Sequence, residues 1–381
     1  MRPLALLLLL LLALLPTPAL PTPALSTPEL RAVWVDRSSL DSRQSIRDMM
    51  QSLAAANCNA AFVNVWSRGY PLWPSDVFER ETGIRTDPSF QNRDVLAELL
   101  EEGREAGIAV FPWAEYGFVG GYSHYFPGPG GRGPIFEAHP DWLARTRSGD
   151  DRFPIAGAPG QYFYFLIHTH PDVQNFLLEL MAEVVEKYQV PGLQFDRARY
   201  PQPDCGYDEY TVELYRREHN GQPPPENPSH PAWIAWRAAR LNQFMNALYR
   251  RLKHADWRTL VSNAPIVYPN SLTNFAQDWP AWMREGSLDF VVPQVYRPDL
   301  ASFERDLATQ LRAVAPDPRR LVAGLDSTNP TPEVLIAQIE HARAQNLRGV
   351  VIWFYAALVR KNALARLKET VFAEPAPLPW R

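Results

Sequence analysis

The chain has 381 residues, 46% hydrophobic and 21% charged, a balance that excludes wholesale disorder. Lys and Arg number 38 against 42 Asp and Glu, a net charge of −4, so no broad cationic footprint for nucleic acid exists. Pro (37) and Trp (12) are both abundant, which suits rigid loops and large aromatic faces.

Met1-Arg2-Pro3 precedes an apolar Leu/Ala run over 4–15, and Pro/Thr/Ala-rich sequence follows to Thr27. One basic residue, a short apolar core and small residues read as a secretory signal peptide. The run is shorter than the ~20 residues that span a bilayer. The expectation is a signal peptide and Pro-rich leader over 1–27 and a single domain over 28–381. The protein would be secreted, periplasmic or in the cell envelope, with no stable membrane span after signal cleavage.

Apolar runs of strand length follow at 31–36, 60–66, 108–113, 192–196, 259–263, 288–295, 320–325 and 349–355. Most are continuous rather than alternating, the pattern of parallel strands buried on both faces. Amphipathic helices lie between them. Val173, Leu177, Leu180 and Val184 mark one stripe, and Ile234, Ala238, Leu241, Met245, Leu248 and Leu252 another. Eight such units predict an α/β fold, the (β/α)8 TIM barrel. A doubly wound open sheet would carry a Gly-rich turn after its first strand, where this chain has Asp36-Arg37-Ser38-Ser39.

Helix-to-strand connections are short, at 57–59, 107, 189–191 and 256–258. Strand-to-helix connections are long, at 67–92, 114–170 and 197–230. Long βα loops belong to the C-terminal face, where barrel enzymes place their active sites. Cys58 precedes the second strand and Cys205 follows the fourth. They should lie at opposite ends of the barrel, too far apart to pair.

Four acids fall at strand ends: Asp36, Glu115, Asp196 and Asp326. Glu115 follows the third strand and Asp196 ends the fourth. Adjacent strands are ~4.8 Å apart, so these two carboxyls can reach the ~5–10 Å separations of glycosidases. That reaction needs one carboxyl protonated and one ionised, which burial and mutual repulsion achieve. Glu115, between Trp113 and Tyr116, is read as the general acid. Asp196, near Arg197 and Arg199, is read as nucleophile or base. The expected substrate contacts are Trp34, Asp36, Asn64, Trp66, Arg68, Tyr70, Trp113, Arg199, Tyr200, Asn263, Gln294, Tyr296 and Trp353; the tyrosines and tryptophans among them are rings with polar handles that suit stacking on sugars.

The Gly-rich stretch 120–133 lacks the Lys-Ser/Thr ending of a phosphate loop and is read as a mobile flap over the cleft. His168-Thr169-His170 invites a metal reading. Yet His139-Pro140, His170-Pro171 and His230-Pro231 all precede helical patterns. Pro is a helix-start residue, so the histidines read as punctuation. No metal or cofactor is expected.

Several ordered segments then carry a resemblance. They are Arg31-Ala32-Val33-Trp34-Val35, Arg68-Gly69-Tyr70-Pro71-Leu72-Trp73-Pro74-Ser75, Pro112-Trp113-Ala114-Glu115-Tyr116-Gly117-Phe118 and Gly192-Leu193-Gln194-Phe195-Asp196. Gly206-Tyr207-Asp208, Asn274-Phe275-Ala276-Gln277-Asp278-Trp279 and Pro293-Gln294-Val295-Tyr296-Arg297 follow. Over roughly 29–367 the chain resembles the bacterial glycosyl-hydrolase-like family ten. The resemblance implies an exported (β/α)8 glycoside hydrolase acting on bacterial polysaccharide and, for some members, on peptidoglycan glycan strands. It places the catalytic acids on Glu115 and Asp196. The chain departs from the family pattern at Arg197, where members often carry a second Asp, at Leu166-Ile167-His168 and at Tyr355-Ala356. The alternatives are a non-catalytic glycan-binding barrel and a metal-dependent polysaccharide deacetylase using His168, His170 and a nearby Asp.

Overall fold

The computed structural model describes residues 27–90, 93–125 and 131–380. The signal-peptide reading falls almost wholly on 1–26, outside the described residues, as do 126–130 of the Gly-rich stretch. Eight parallel strands alternate with helices: β1 (Leu30–Val35), β2 (Ala60–Asn64), β3 (Ala109–Ala114), β4 (Gly192–Phe195), β5 (Leu260–Asn263), β6 (Phe290–Val291), β7 (Ala323–Asp326) and β8 (Gly349–Trp353). The helices against them are α1 (Arg43–Ala55), α2 (Val95–Ala106), α3 (Pro171–Lys187), α4 (Pro231–Ala255), α5 (Trp279–Arg284), α6 (Leu300–Val314), α7 (Pro332–Ala344) and α8 (Ala363–Glu369).

Strands pair in chain order from β1 to β6, and β8 lies between β1 and β7. Isolated parallel bridges Val291↔Leu321 and Gln294↔Gly324 join the β6 and β7 edges. Val322 N–H donates to Val291 O at 2.9 Å and Gly324 N–H to Pro293 O at 3.0 Å. These contacts close the barrel. β6 is far shorter than the apolar run 288–295 because Pro293 has no N–H for the ladder.

Two apolar layers follow from the continuous runs. Alternate side chains fill the barrel interior: Trp34, Phe62, Phe111, Trp113, Phe290 and Val351, with Phe62 stacked on Phe111 at 4.8 Å. The others, such as Val33, Val63, Leu193 and Ile352, meet the helices. Trp380 stacks on Phe290 at 4.4 Å, so the C-terminal tail covers the interior from below.

The His-Pro pairs act as read. His170 and His230 are the N-caps of α3 and α4, each accepting a backbone N–H at 3.2 Å, with Pro in the first turn. Cys58 and Cys205 are both buried and unpaired. Among the described residues no helix is long and apolar enough to cross a membrane.

The long loop after β4 is pinned from α4. Arg237, 1% exposed, donates to Pro203 O (2.7 Å), Cys205 O (2.9 Å) and Pro228 O (3.1 Å). Its guanidinium lies 5.0 Å from both the Tyr200 and Trp233 rings. Arg237→Leu strands three carbonyls, each costing about 1–3 kcal/mol if left dry. Thermal unfolding should show a loss of several degrees. An unchanged Tm would mean that water replaces the guanidinium without penalty.

Candidate active site

The parallel register brings the two sequence-predicted acids together. Ala114 pairs with Phe195 across β3 and β4, so Glu115 and Asp196, the next residue on each, leave adjoining strand ends. Asp196 is 3% exposed and its N–H donates to Ala114 O at 3.1 Å. The Glu115 side chain keeps 13% of its surface.

Glu115 is held on both oxygens. Asn64, at the end of β2, donates its amide to Oε2, and Arg197 Nη2 reaches Oε1 at 3.3 Å. Burial is the largest influence on this carboxyl and, with the nearby Asp196 and Asp36 charges, outweighs the opposing Arg197 charge. Its pKa rises from 4.5 to about 7. Asp196 Oδ1 accepts the Arg197 backbone N–H at 2.6 Å, and Oδ2 faces Gln294 Nε2 at 3.4 Å. Burial raises the Asp196 pKa, and Arg199 and Arg197 pull it back. The sequence reading expected the arginines to favour ionised Asp196. They do act in that direction, but burial outweighs them and the net shift is upward.

Arg197 is the residue the sequence reading undervalued. It bridges both acids, with its guanidinium on Glu115 and its amide on Asp196, and its φ of +43° is left-handed. Its side chain lies 5.4 Å from the Tyr116 ring and 4.8 Å from the Phe163 ring. The Asp196-Arg197 dipeptide was the signal available. Arg199 is buried at Nη1, which has no hydrogen-bond partner, and its guanidinium sits 5.7 Å from the Phe275 ring. Burial lowers its pKa to about 10.

The loop after β3 approaches Asp196 so closely that only glycine fits at 117. Gly117 has φ +46°, and a Cβ there would lie 2.1 Å from Asp196 O. Gly117→Ala must push one strand end away from the other. Displacements near 1 Å cost ~10²-fold in rate, so kcat/KM should fall on that order, with a smaller change in Tm. Unaltered kinetics would show that the approach of the two chains is not needed.

The other expected contacts divide. Trp113, Gln294, Tyr296 and Trp353 lie at or just past strand ends around the acids. Trp113 packs against Trp353 at 5.8 Å, and its indole N–H is buried without a hydrogen-bond partner. Asp36 is half-buried with Ser38 Oγ donating to it at 2.9 Å. Asn263 donates to Phe195 O, and its Oδ1, like Asn64 Oδ1, is buried without a partner. Arg68 sits between the Tyr122 and Tyr125 rings.

Four expected contacts need correction. Trp34, 1% exposed, donates Nε1–H to Gln194 Oε1 at 2.7 Å inside the barrel and forms the floor rather than a stacking surface. Trp66 is fully buried, donates to Gly117 O at 3.0 Å and packs on Phe78 and Phe176. The ladder of β2 ends at Asn64, and a tight antiparallel pairing with Tyr70–Pro71 turns Trp66 away. Tyr200 is 1% exposed and stacks on His168 at 4.1 Å. Tyr70, 8% exposed, meets Phe78 and Tyr125 edge-on. Asp326 is a local turn carboxylate, accepting from the backbone and side chains of Thr328 and Asn329.

The two histidines do not converge. His168 lies between Phe118 (4.4 Å) and Tyr200, with Nε2 at 2.9 Å from Arg199 O. Burial drops its pKa to about 3. His170 faces outward as the cap of α3. The Gly-rich stretch begins not as a loose flap but as a strand, Val119–Tyr122, paired with Tyr162–Phe165.

The chain is 25% identical over 287 residues to the glycosyl hydrolase DigH of Escherichia coli, covering 67% of this chain and 58% of that protein. It is 23% identical over 311 residues to the glycosyl hydrolase YngK of Bacillus subtilis, covering 70% of this chain and 54% of that one. The chain thus spans little more than half the length of either relative. Among solved structures, the glycoside hydrolase domain of PgaB (BpsB) from Bordetella bronchiseptica superposes with a TM-score of 0.63 at 16% identity, covering 90% of this chain and 98% of that one. The catalytic domain of β-amylase from Paenibacillus polymyxa superposes with a TM-score of 0.67 at 12% identity, covering 93% and 100%. The glycosyl hydrolase-like 10 family pattern matches residues 29–329, and the chain belongs to that family.

Proposed function

We propose that the protein is an exported glycoside hydrolase that cleaves a bacterial polysaccharide with Glu115 and Asp196, peptidoglycan glycan strands being the first substrate to test. One observation carries the reading: a carboxyl with pKa about 7 leaves the strand end beside a second buried carboxyl. Glu115 then holds a proton near neutral pH, the requirement for a general acid. It gives that proton to the glycosidic oxygen as the bond from the anomeric carbon to that oxygen breaks, and the bonding electrons leave with the oxygen. Asp196 attacks the anomeric carbon or takes a proton from attacking water. Either route consumes one water, whose oxygen ends on the anomeric carbon.

Incubation with peptide-free peptidoglycan strands and a panel of other bacterial polysaccharides tests this. New reducing ends support the reading. Binding without new reducing ends would make the barrel a glycan-binding protein, and released acetate would make it a deacetylase.

A further inference from the structure

The site is asymmetric about its acids. Gln294, Tyr296 and Arg199 gather on the Asp196 side. On the Glu115 side the chain turns at once into a small antiparallel sheet, with Tyr122 registered against Phe163. Tyr116, Phe163 and Tyr122 touch in series, with centroids 5.4 and 5.7 Å apart. Arg197, whose guanidinium reaches Glu115, lies over both inner rings, 4.8 Å from Phe163 and 5.4 Å from Tyr116. Arg68 covers the far end, 5.8 Å from the Tyr122 ring. Phe163, Tyr122 and Arg68 are all partly exposed.

The two adjacent part-exposed rings offer apolar faces, one with a polar handle, against which a flat apolar surface can stack. The rings are held in place in advance: Tyr122 OH is bonded to Gln161 Oε1, and the strand pairing fixes Phe163. Such fixing lowers the entropy cost of binding. Arg68 has no carboxylate partner among the described residues, so its N–H donors face the row free to meet sugar oxygens.

We propose that Tyr122, Phe163 and Arg68 form the subsite for the departing sugar, whose apolar ring face stacks on Tyr122 and on the part of Phe163 that Arg197 leaves open, while Arg68 donates to its oxygens. The inference rests on the hydrolase reading above, because the sugar on the side of the proton donor is the one that leaves. It sets the direction in which a glycan lies: its newly formed non-reducing end is released over the small antiparallel sheet that follows β3, and its new reducing end remains over β5–β8.

A glycosyl fluoride of the same repeating unit tests this, since fluoride leaves that subsite empty. Kinetics of Phe163→Ala and Arg68→Gln would be compared with the unmodified protein on peptide-free glycan strands and on the fluoride. In both variants kcat/KM should fall at least ~10-fold more on strands than on fluoride, a difference of about 1.4 kcal/mol. Arg68→Gln leaves the sheet untouched, so it reports even if Phe163→Ala disturbs the pairing. Equal losses on both substrates, or none on strands, overturn the subsite. If the unmodified protein cleaves neither substrate, the hydrolase reading itself falls and the subsite with it.

Discussion

Asp196→Asn is expected to reduce turnover on the order of 10⁴-fold on every substrate, whatever its leaving group, as removal of a nucleophile or base does. The substitution keeps the oxygen that accepts the Arg197 backbone N–H and changes little in volume, so the fold should persist. What is lost is the negative charge that acts on Arg199, whose buried Nη1 has no hydrogen-bond partner. A variant that keeps near-normal turnover would remove Asp196 from the chemistry and turn attention to Asp36, the remaining half-buried strand-end acid.

Glu115→Gln should behave differently in two measurements. On natural glycans, which need protonation of a poor leaving group, it should lose about 10²–10⁴-fold. On substrates with activated leaving groups the loss should be much smaller, because no proton is required. Its stability should change in the opposite sense. Native Glu115 holds its proton to about pH 7, whereas an unfolded glutamate releases it near 4.5. Between those values the native state binds more protons, so stability falls as pH rises, and the full cost is present above 7. Gln carries no such cost. The variant should therefore melt higher than the unmodified protein at pH 8, by an amount on the order of 1–3 kcal/mol, with the advantage vanishing toward pH 4. A variant less stable at pH 8 than at pH 5 relative to the unmodified chain would show that the Arg197 contact outweighs burial.

The architecture was legible because β1, β2, β3 and β8 are buried on both faces and read as unbroken apolar runs. β6 was overextended, since the run 288–295 gives no weight to the missing N–H of Pro293. Glu115 and Asp196 could be paired from their places at the ends of neighbouring strands. Trp66 and Tyr200 could not be placed. An aromatic residue just past a strand looks the same in sequence whether the chain turns inward or packs on a helix. For Trp66 the deciding features are its bond to Gly117 O and its packing on Phe176, contacts distant in sequence. Phe163 went unnoticed for a related reason. It lies 48 residues beyond Glu115 and returns to the acid only through the strand pairing Tyr122↔Phe163. Arg197 was seen as a charge near Asp196, but its left-handed backbone, which sends the guanidinium to Glu115 instead, has no sequence signal in a non-glycine residue.

The pH dependence of kcat/KM, compared between the unmodified protein and Glu115→Gln on one activated substrate and one natural glycan, tests the central claim most directly. With Glu115 as the acid, the unmodified protein loses activity on the glycan as pH rises through about 7, and the falling limb is absent from the residual activity of the variant. A falling limb that survives Glu115→Gln at the same pH would contradict the assignment, because another group would then be supplying the proton.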